Sequence, residues 1–260
     1  MHALRKANQA RARAMNGEAQ DAQVSSETRG ALLPLAGAMA RSGAWLFRRR
    51  TYLPVFLLAA IVAAAAGAPG EPPAGIAWRL ACGLIAVAGM TVRIVAVGFA
   101  GERTSGRNTR RQVADSLNTD GAYSVVRHPL YLGNLLTWMG VALLPGIASV
   151  AVVVLLVFVA YYERIAMAEE EFLRDRFGAE FLAWAARTPA FVPAPSLWRR
   201  PEGGFRLERV IRDEPATLLT AAAAFTLVEL AGGGSASRAV PWAMALAASL
   251  AIFIVARCMR

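Results

Sequence analysis

Six apolar segments alternate with polar stretches along the chain. Several of these segments are long enough to cross a hydrocarbon core of roughly 30 Å, which takes about 20 helical residues. The pattern therefore predicts an all-α, polytopic membrane protein with about six transmembrane helices. The segments cover about residues 52–68, 76–100, 129–144, 147–162, 216–231 and 240–256.

The connections between the segments predict how they are arranged. Only Pro145-Gly146 separates the third segment from the fourth, which predicts a helical hairpin. Residues 1–50, 101–128 and 163–214 hold nine, five and nine basic residues, whereas the opposite loops hold only Arg238. By the positive-inside rule, both termini and both large loops lie in the cytoplasm, and we expect a bacterial inner membrane.

These features divide the chain into three parts. Residues 1–50 form a basic tail that ends in an interfacial helix anchored by Trp45. The tail is either a solvated segment or an arm that lies on anionic lipid. Residues 51–214 form the membrane core, and residues 215–260 form a C-terminal hairpin of two membrane helices.

Composition narrows the class of partner. The chain has 260 residues, of which 56% are hydrophobic, and a formal net charge of +10. The basic residues follow membrane topology rather than forming a nucleic-acid surface, so no nucleic-acid partner is expected. Two cysteines without paired spacing and two histidines, His2 and His128, make a disulfide framework or a metal site improbable.

Residues 119–134, TDGAYSVVRHPLYLGN, carry the chemistry around which the chain is organised. Pro129 suits the first turn of a helix, and a residue before proline is pushed out of the α region. We therefore expect His128 to be extended and Leu130 onward to be helical. Arg127, His128 and Tyr131 would then cluster at a helix N-terminus, which favours a bound anion.

The fourth segment is predicted to continue as a charged helix beyond the membrane. Leu173, Phe177 and Phe181 form one apolar stripe, although a solvated helix with pairs such as Glu170–Arg174 is the alternative. Because the hairpin turns the chain back, the carboxylates of residues 163–170 come close to the basic and aromatic cluster. Such a pocket suits a zwitterionic ligand, for example an α-amino acid.

Three motifs together resemble a known family. GAYSVVRHPLYLG at residues 121–133 is followed by EEEFLRDRFGAEFLAW at residues 169–184 and by Pro189 and Pro193. The order resembles the integral-membrane methyltransferases, which include isoprenylcysteine carboxyl methyltransferase and the phospholipid N-methyltransferases. The resemblance runs from about Gly89 to Pro193. It implies S-adenosylmethionine as cofactor and a lipid-like or lipidated acceptor that enters laterally from the membrane.

The resemblance also implies which residues bind the cofactor. Glu169 would hold the methionine ammonium, and His128 with the helix N-terminus would hold its carboxylate. An amide near Asn108 corresponds to a further contact of some members. Carried over position by position, the cofactor contacts fall on Ser116, Leu117, Asn118, Tyr123, His128, Pro129, Leu130, Tyr131 and Glu169.

The sequence departs from the family where an arginine often precedes the first glutamate by four residues. That position is Ile165, and Arg164 lies one residue earlier, on a different helix face. We predict Glu170 and Arg164 as catalytic residues. Glu170, or alternatively Glu163, would act as the base if the acceptor is a protonated amine.

Two other functions fit parts of the pattern. An NADPH-dependent membrane reductase of the sterol-reductase type has a related hairpin, and a non-enzymatic membrane protein such as a transporter subunit is a third class.

Arg93, within the second segment, either snorkels to the interface or marks a site.

Overall fold

The computed structural model describes residues 39, 42–49, 52–68, 75–101, 115–233 and 236–259. Within these ranges the chain is helical and contains no β-strand, so the predicted all-α class is confirmed. A short 3₁₀ turn covers Pro195–Leu197. The helices are α1 (Ser42–Arg48), α2 (Leu53–Gly67), α3 (Ile76–Phe99), α4 (Ala122–Val125), α5 (Pro129–Leu143), α6 (Ala148–Phe177), α7 (Ala179–Ala185), α8 (Leu207–Asp213), α9 (Pro215–Ala231) and α10 (Ala236–Cys258).

Each of the six predicted apolar segments forms a helix. Among the described residues, α3, α6 and α10 are long and apolar enough to cross a membrane by themselves. Two bent pairs, α1 with α2 and α8 with α9, reach that length together, and the second pair is bent by 48°. Helix α5 is a shorter apolar helix of 15 residues. The chain is therefore an integral membrane protein.

The predicted hairpin joins α5 to α6. Gly146 has a φ of 73°, a backbone conformation that glycine adopts easily but that is strained for residues with a side chain. Its N–H donates to Leu143 O over 2.9 Å. Helix α6 then runs for 30 residues, so the apolar fourth segment does continue into the charged stretch. Its carboxylates thereby return to the end of the hairpin at which α5 begins.

Helices α3 and α5 pack at backbone distance. A Cβ atom on Gly89 would lie 2.5 Å from Gly133 O, and one on Gly140 would lie 2.5 Å from Cys82 O. Small residues at such positions let two membrane helices approach closely. The contact at Gly89 holds the start of α5 against the C-terminal half of α3.

Two ion pairs, one partly buried and one buried, join α3 to the C-terminal helices. Arg79 Nε lies 3.0 Å from Glu229 Oε1, and Arg93 Nε lies 2.8 Å from Glu214 Oε2. The Arg93 side chain is 7% exposed. Of its two predicted alternatives, snorkelling is therefore wrong, because the guanidinium is held inside the helix bundle. Neither glutamate partner was predicted.

The N-terminal part of the described chain is the short helix α1. Trp45 is half exposed and the Arg49 guanidinium lies 4.2 Å from the centroid of its ring, as expected for an interfacial anchor. The Tyr161 hydroxyl on α6 donates to Leu46 O over 3.0 Å. Three longer parts of the chain lie outside the described residues. They are most of the basic tail, residues 69–74, and residues 102–114, which include Asn108. The three-part division of the chain stays a prediction.

Candidate functional site

The start of α5 is fixed by the segment that precedes it. His128 has a φ of −121° and lies outside the helix, and Pro129 is the first helical residue, as predicted. The Arg127 N–H donates to Pro189 O over 2.8 Å. This bond attaches the chain after α7 to the chain before α5, so both border the same site.

Two adjacent carboxylates on α6 face the start of α5. His128 Nε2 lies 2.9 Å from Glu170 Oε1, and the Tyr131 hydroxyl donates to Glu169 Oε2 over 2.7 Å. Arg127 Nε lies 3.3 Å from the same Glu170 oxygen, and His128 Nδ1 lies 3.8 Å from Glu169 Oε2. The hairpin thus brings Arg127, His128, Tyr131, Glu169 and Glu170 into one group, named here the polar cluster.

Aromatic rings enclose the histidine of the polar cluster. The His128 ring stacks on Tyr131 at a centroid distance of 5.4 Å and on Phe191 at 5.6 Å. Tyr131 in turn lies 4.7 Å from Tyr162. His128 and Glu169 are both buried, at 6% and 7% exposure. In such surroundings charge interactions are stronger than in water, so the paired carboxylates favour a cationic group.

A second, apolar group lies just beyond the polar cluster. Its buried centre consists of Leu173 on α6 and of Phe181 and Trp184 on α7. Leu117 and Tyr123 pack against this centre. Trp184 Nε1 donates to Tyr123 O over 3.1 Å. Burial raises the pKa of the Tyr123 phenol, which therefore stays protonated and can donate a hydrogen bond. Leu173 and Phe177 of the predicted stripe belong to this group on α6, but Phe181 reaches it from α7, because α6 ends at Phe177 and the chain turns at Gly178.

Two polar atoms near these groups, Asn118 Nδ2 and Thr188 Oγ1, are buried without a hydrogen-bond partner among the described residues. Arg127 Nε also makes no hydrogen bond there, but it lies in the ion pair with Glu170. The other amide atom of Asn118, Oδ1, accepts from the Gly101 N–H over 3.0 Å. Buried polar groups normally have partners, so Asn118 Nδ2 and Thr188 Oγ1 can bind a polar ligand. They fit a ligand with several polar groups, as S-adenosylmethionine has.

The helix N-terminus offers fewer free N–H groups than the sequence implied. The N–H groups of Tyr131 and Leu132 both donate to His128 O over 3.1 Å. Pro129 is buried and has no N–H. In the described part of the chain the Leu130 N–H has no backbone acceptor, and it remains the donor that an anion could use.

The structure places the other predicted residues outside the polar cluster. Ser116 is exposed in the loop before α4. Arg164 NH1 donates to Ala160 O over 2.6 Å on its own helix, away from Glu169 and Glu170. Glu163 lies two turns before Glu170 on the same face of α6. The buried Ile165 side chain occupies the position at which the family often has an arginine.

Sequence reasoning missed Thr188 and Phe191. Both follow α7, in the segment that crosses behind His128, and Thr188 is 2% exposed. The signal for them was the proline at position 189, which the resemblance included without assigning a role to its neighbours. Within the described ranges, no three His, Cys, Asp or Glu side chains are grouped as metal ligands would be.

The fold and the polar cluster define an all-α integral-membrane protein with a buried polar site at one end of a helical hairpin. Residues 78–180 match the family model described as phospholipid methyltransferase. The chain is also 37% identical over 86 residues to protein-S-isoprenylcysteine O-methyltransferase B of Arabidopsis thaliana, covering 32% of this chain and 43% of that protein. The resemblance to the integral-membrane methyltransferases is thus confirmed over this segment.

Two further relatives, both bacterial, match part of the chain. The cobalt-zinc-cadmium resistance protein CzcN of Cupriavidus metallidurans is 41% identical over 85 residues, which are 33% of this chain and 39% of that protein. The nickel-cobalt-cadmium resistance protein NccN of Alcaligenes xylosoxydans xylosoxydans is 32% identical over 115 residues, which are 44% and 51%. The chain therefore spans about half or less of these curated relatives. No solved structure matches it significantly.

Proposed function

We propose that the protein is an S-adenosylmethionine-dependent methyltransferase that acts on a lipid-like acceptor at the cytoplasmic face of a bacterial inner membrane. The observation that carries the proposal is the pairing of Glu169 and Glu170 with Tyr131 and His128 across the hairpin. The match of residues 78–180 to phospholipid methyltransferases and the methyltransferase relative support the same chemistry.

The residues present fit the polar end of the cofactor. Glu169 would accept a hydrogen bond from the methionine ammonium, a charge-assisted contact in a buried place. Arg127 and the Leu130 N–H would hold its carboxylate. His128 lies between both carboxylates, so its role in this arrangement is to orient them together with Tyr131.

The rest of the cofactor would extend toward the apolar group. Leu117 and Tyr123 offer apolar and aromatic surface there, and Asn118 Nδ2 and Thr188 Oγ1 are free to bind polar atoms. Ser116 borders this side from the exposed loop. The predicted contacts from residue 116 to residue 131 would thus follow one path from the loop before α4 to the first turn of α5.

The protein mainly supplies alignment and a site from which water is excluded. When bound, the cofactor supplies a methyl group that is already activated by its sulfonium. Glu170 would take the proton of an amine acceptor, with Glu163 as the alternative, whereas a carboxylate acceptor needs no base. Arg164 would contribute only if its side chain leaves Ala160 O and turns toward the acceptor.

The acceptor would reach the site from the membrane. The polar cluster lies at the start of α5 and about two turns before the end of α6, and the apolar parts of both helices that lead away from it would lie in the hydrocarbon region. The concentration of basic residues in residues 163–214 favours the cytoplasmic side for this end of the hairpin, and both termini would lie on the same side.

Calorimetric titration of the purified full-length protein tests the proposal. S-adenosylhomocysteine should bind and NADPH should not. Binding of NADPH instead would favour the membrane reductase, and binding of neither would favour a non-enzymatic membrane protein. His128→Ala and Glu169→Ala should both lose S-adenosylhomocysteine binding, and full retention in both variants would refute the site. Membranes that contain the protein would then be incubated with a radioactive methyl donor, and the lipid that becomes labelled is the acceptor.

A further inference from the structure

Arg93 on α3 joins three helices at one buried point. Its guanidinium holds both oxygens of Glu214, with Nε 2.8 Å from Oε2 and NH2 2.9 Å from Oε1. Its third nitrogen, NH1, donates to Asn134 Oδ1 on α5. Glu214 is the N-cap residue of α9, and its side chain is 4% exposed. A two-point contact of this kind fixes both the position and the rotation of the guanidinium.

The contacts continue from Asn134 to the polar cluster. Asn134 Nδ2 donates to the Tyr162 hydroxyl over 3.2 Å, and the Tyr162 ring packs at 4.7 Å against the ring of Tyr131. Tyr131 donates to Glu169 over 2.7 Å. Asn134 also follows Tyr131 by three residues on α5, so it lies on the next turn of the same helix face.

The first member of this series lies outside the segment that matches the phospholipid methyltransferases. That segment ends at residue 180, whereas Glu214 begins the C-terminal helices. Arg79 and Glu229 form a second, partly buried ion pair between the same two helices, 3.0 Å apart. Arg79 precedes Arg93 by 14 residues, about four turns further from the polar cluster. The two pairs therefore anchor the same helices at different distances from the site.

We propose that Arg93 and Glu214 are positioning residues for the cofactor site, and that the C-terminal helices thereby complete the site. Glu214 fixes Arg93, Arg93 fixes Asn134 and Tyr162, and these hold Tyr131 in the orientation that binds Glu169. The inference rests on the proposed function, because it concerns the geometry in which Glu169 receives the cofactor ammonium. A buried network of this kind holds its members in place only while every member is paired.

The test compares two variants that remove one carboxylate charge from each ion pair. Glu214→Gln should weaken S-adenosylhomocysteine binding by about tenfold, because small displacements of binding groups have large effects. Glu229→Gln should leave binding within about twofold of the wild type. The two variants should lower the melting temperature to a similar extent, because each removes the charge of one partner of an ion pair. Equal losses of affinity in the two variants, or no loss in either, would overturn the inference.

A milder pair of variants covers the case in which Glu214→Gln does not fold. Tyr162→Phe removes only the hydroxyl that accepts from Asn134, and it should weaken binding by about fivefold, the equivalent of one ordinary hydrogen bond. Tyr161→Phe removes the neighbouring hydroxyl, which is directed at Leu46, and should not change binding. Unchanged affinity in Tyr162→Phe would refute the positioning role. Absence of binding by the wild type would refute the proposed function itself.

Discussion

His128 Nε2 and Glu170 Oε1 lie 2.9 Å apart although the two residues are separated by 42 positions in the chain. The short turn at Gly146 makes this contact possible, because it returns α6 to the level at which α5 begins. The contact also brings the histidine and both carboxylates into one cluster. Any ligand that binds Glu169 or Glu170 is then in reach of His128 and Arg127.

Glu169→Gln tests the predicted ammonium contact. The variant keeps the size of the side chain but loses its charge, so the affinity for S-adenosylhomocysteine should fall by about 10- to 100-fold, as for loss of a charge-assisted hydrogen bond. Glu171→Gln is the matched control, because Glu171 is the exposed third member of the same run. Calorimetric titration measures both, and equal affinities in the two variants would contradict the assignment.

Thr188→Val separates ligand binding from folding. The Thr188 hydroxyl is buried without a partner in the described part of the chain, so its removal should leave the free energy of unfolding unchanged or slightly increased. If the hydroxyl binds the cofactor, affinity should nevertheless fall by about fivefold. Thr226→Val is the control, because that hydroxyl donates to Ala222 O far along α9. A destabilised Thr188→Val with normal affinity would show that the residue serves only the fold.

Gly140→Ala tests the close contact of α3 with α5. The added methyl group would lie 2.5 Å from Cys82 O, a backbone atom that cannot move without moving α3. We expect destabilisation by about 1–3 kcal/mol, the usual effect of overpacking. Gly67→Ala adds the same group where no atom lies within 4 Å, and it should be neutral or stabilising. Thermal unfolding in detergent measures both, and equal melting temperatures would contradict the packing.

Cys258 is a natural reporter of the predicted orientation. It is an exposed free cysteine at the end of α10, whereas Cys82 is buried. If the C-terminus is cytoplasmic, a membrane-impermeant maleimide should label inverted membrane vesicles and leave intact cells unlabelled. Labelling must disappear in Cys258→Ser, which controls for reaction at Cys82. Labelling of intact cells would place the C-terminus outside and reverse the orientation.

Local sequence determined the helices and the hairpin. Long apolar segments form helices in a membrane because their backbone groups have no other partners, and Pro129 and the Pro145-Gly146 pair set where α5 begins and where the chain turns. With a turn this short, the start of α5 and the acidic part of α6 must be neighbours. The juxtaposition of His128 with the paired glutamates therefore followed from the order of residues along the chain.

Only the tertiary structure decided which groups pair within that neighbourhood and beyond it. The hydrogen bond of His128 is with Glu170 rather than with Glu169, and Glu169 instead accepts one from the Tyr131 hydroxyl. The partner of Arg93 is 121 positions away, at the start of α9. Periodicity tells which face of a helix is polar, but the partner of that face depends on how separate helices dock, and docking is set by packing between residues far apart in sequence.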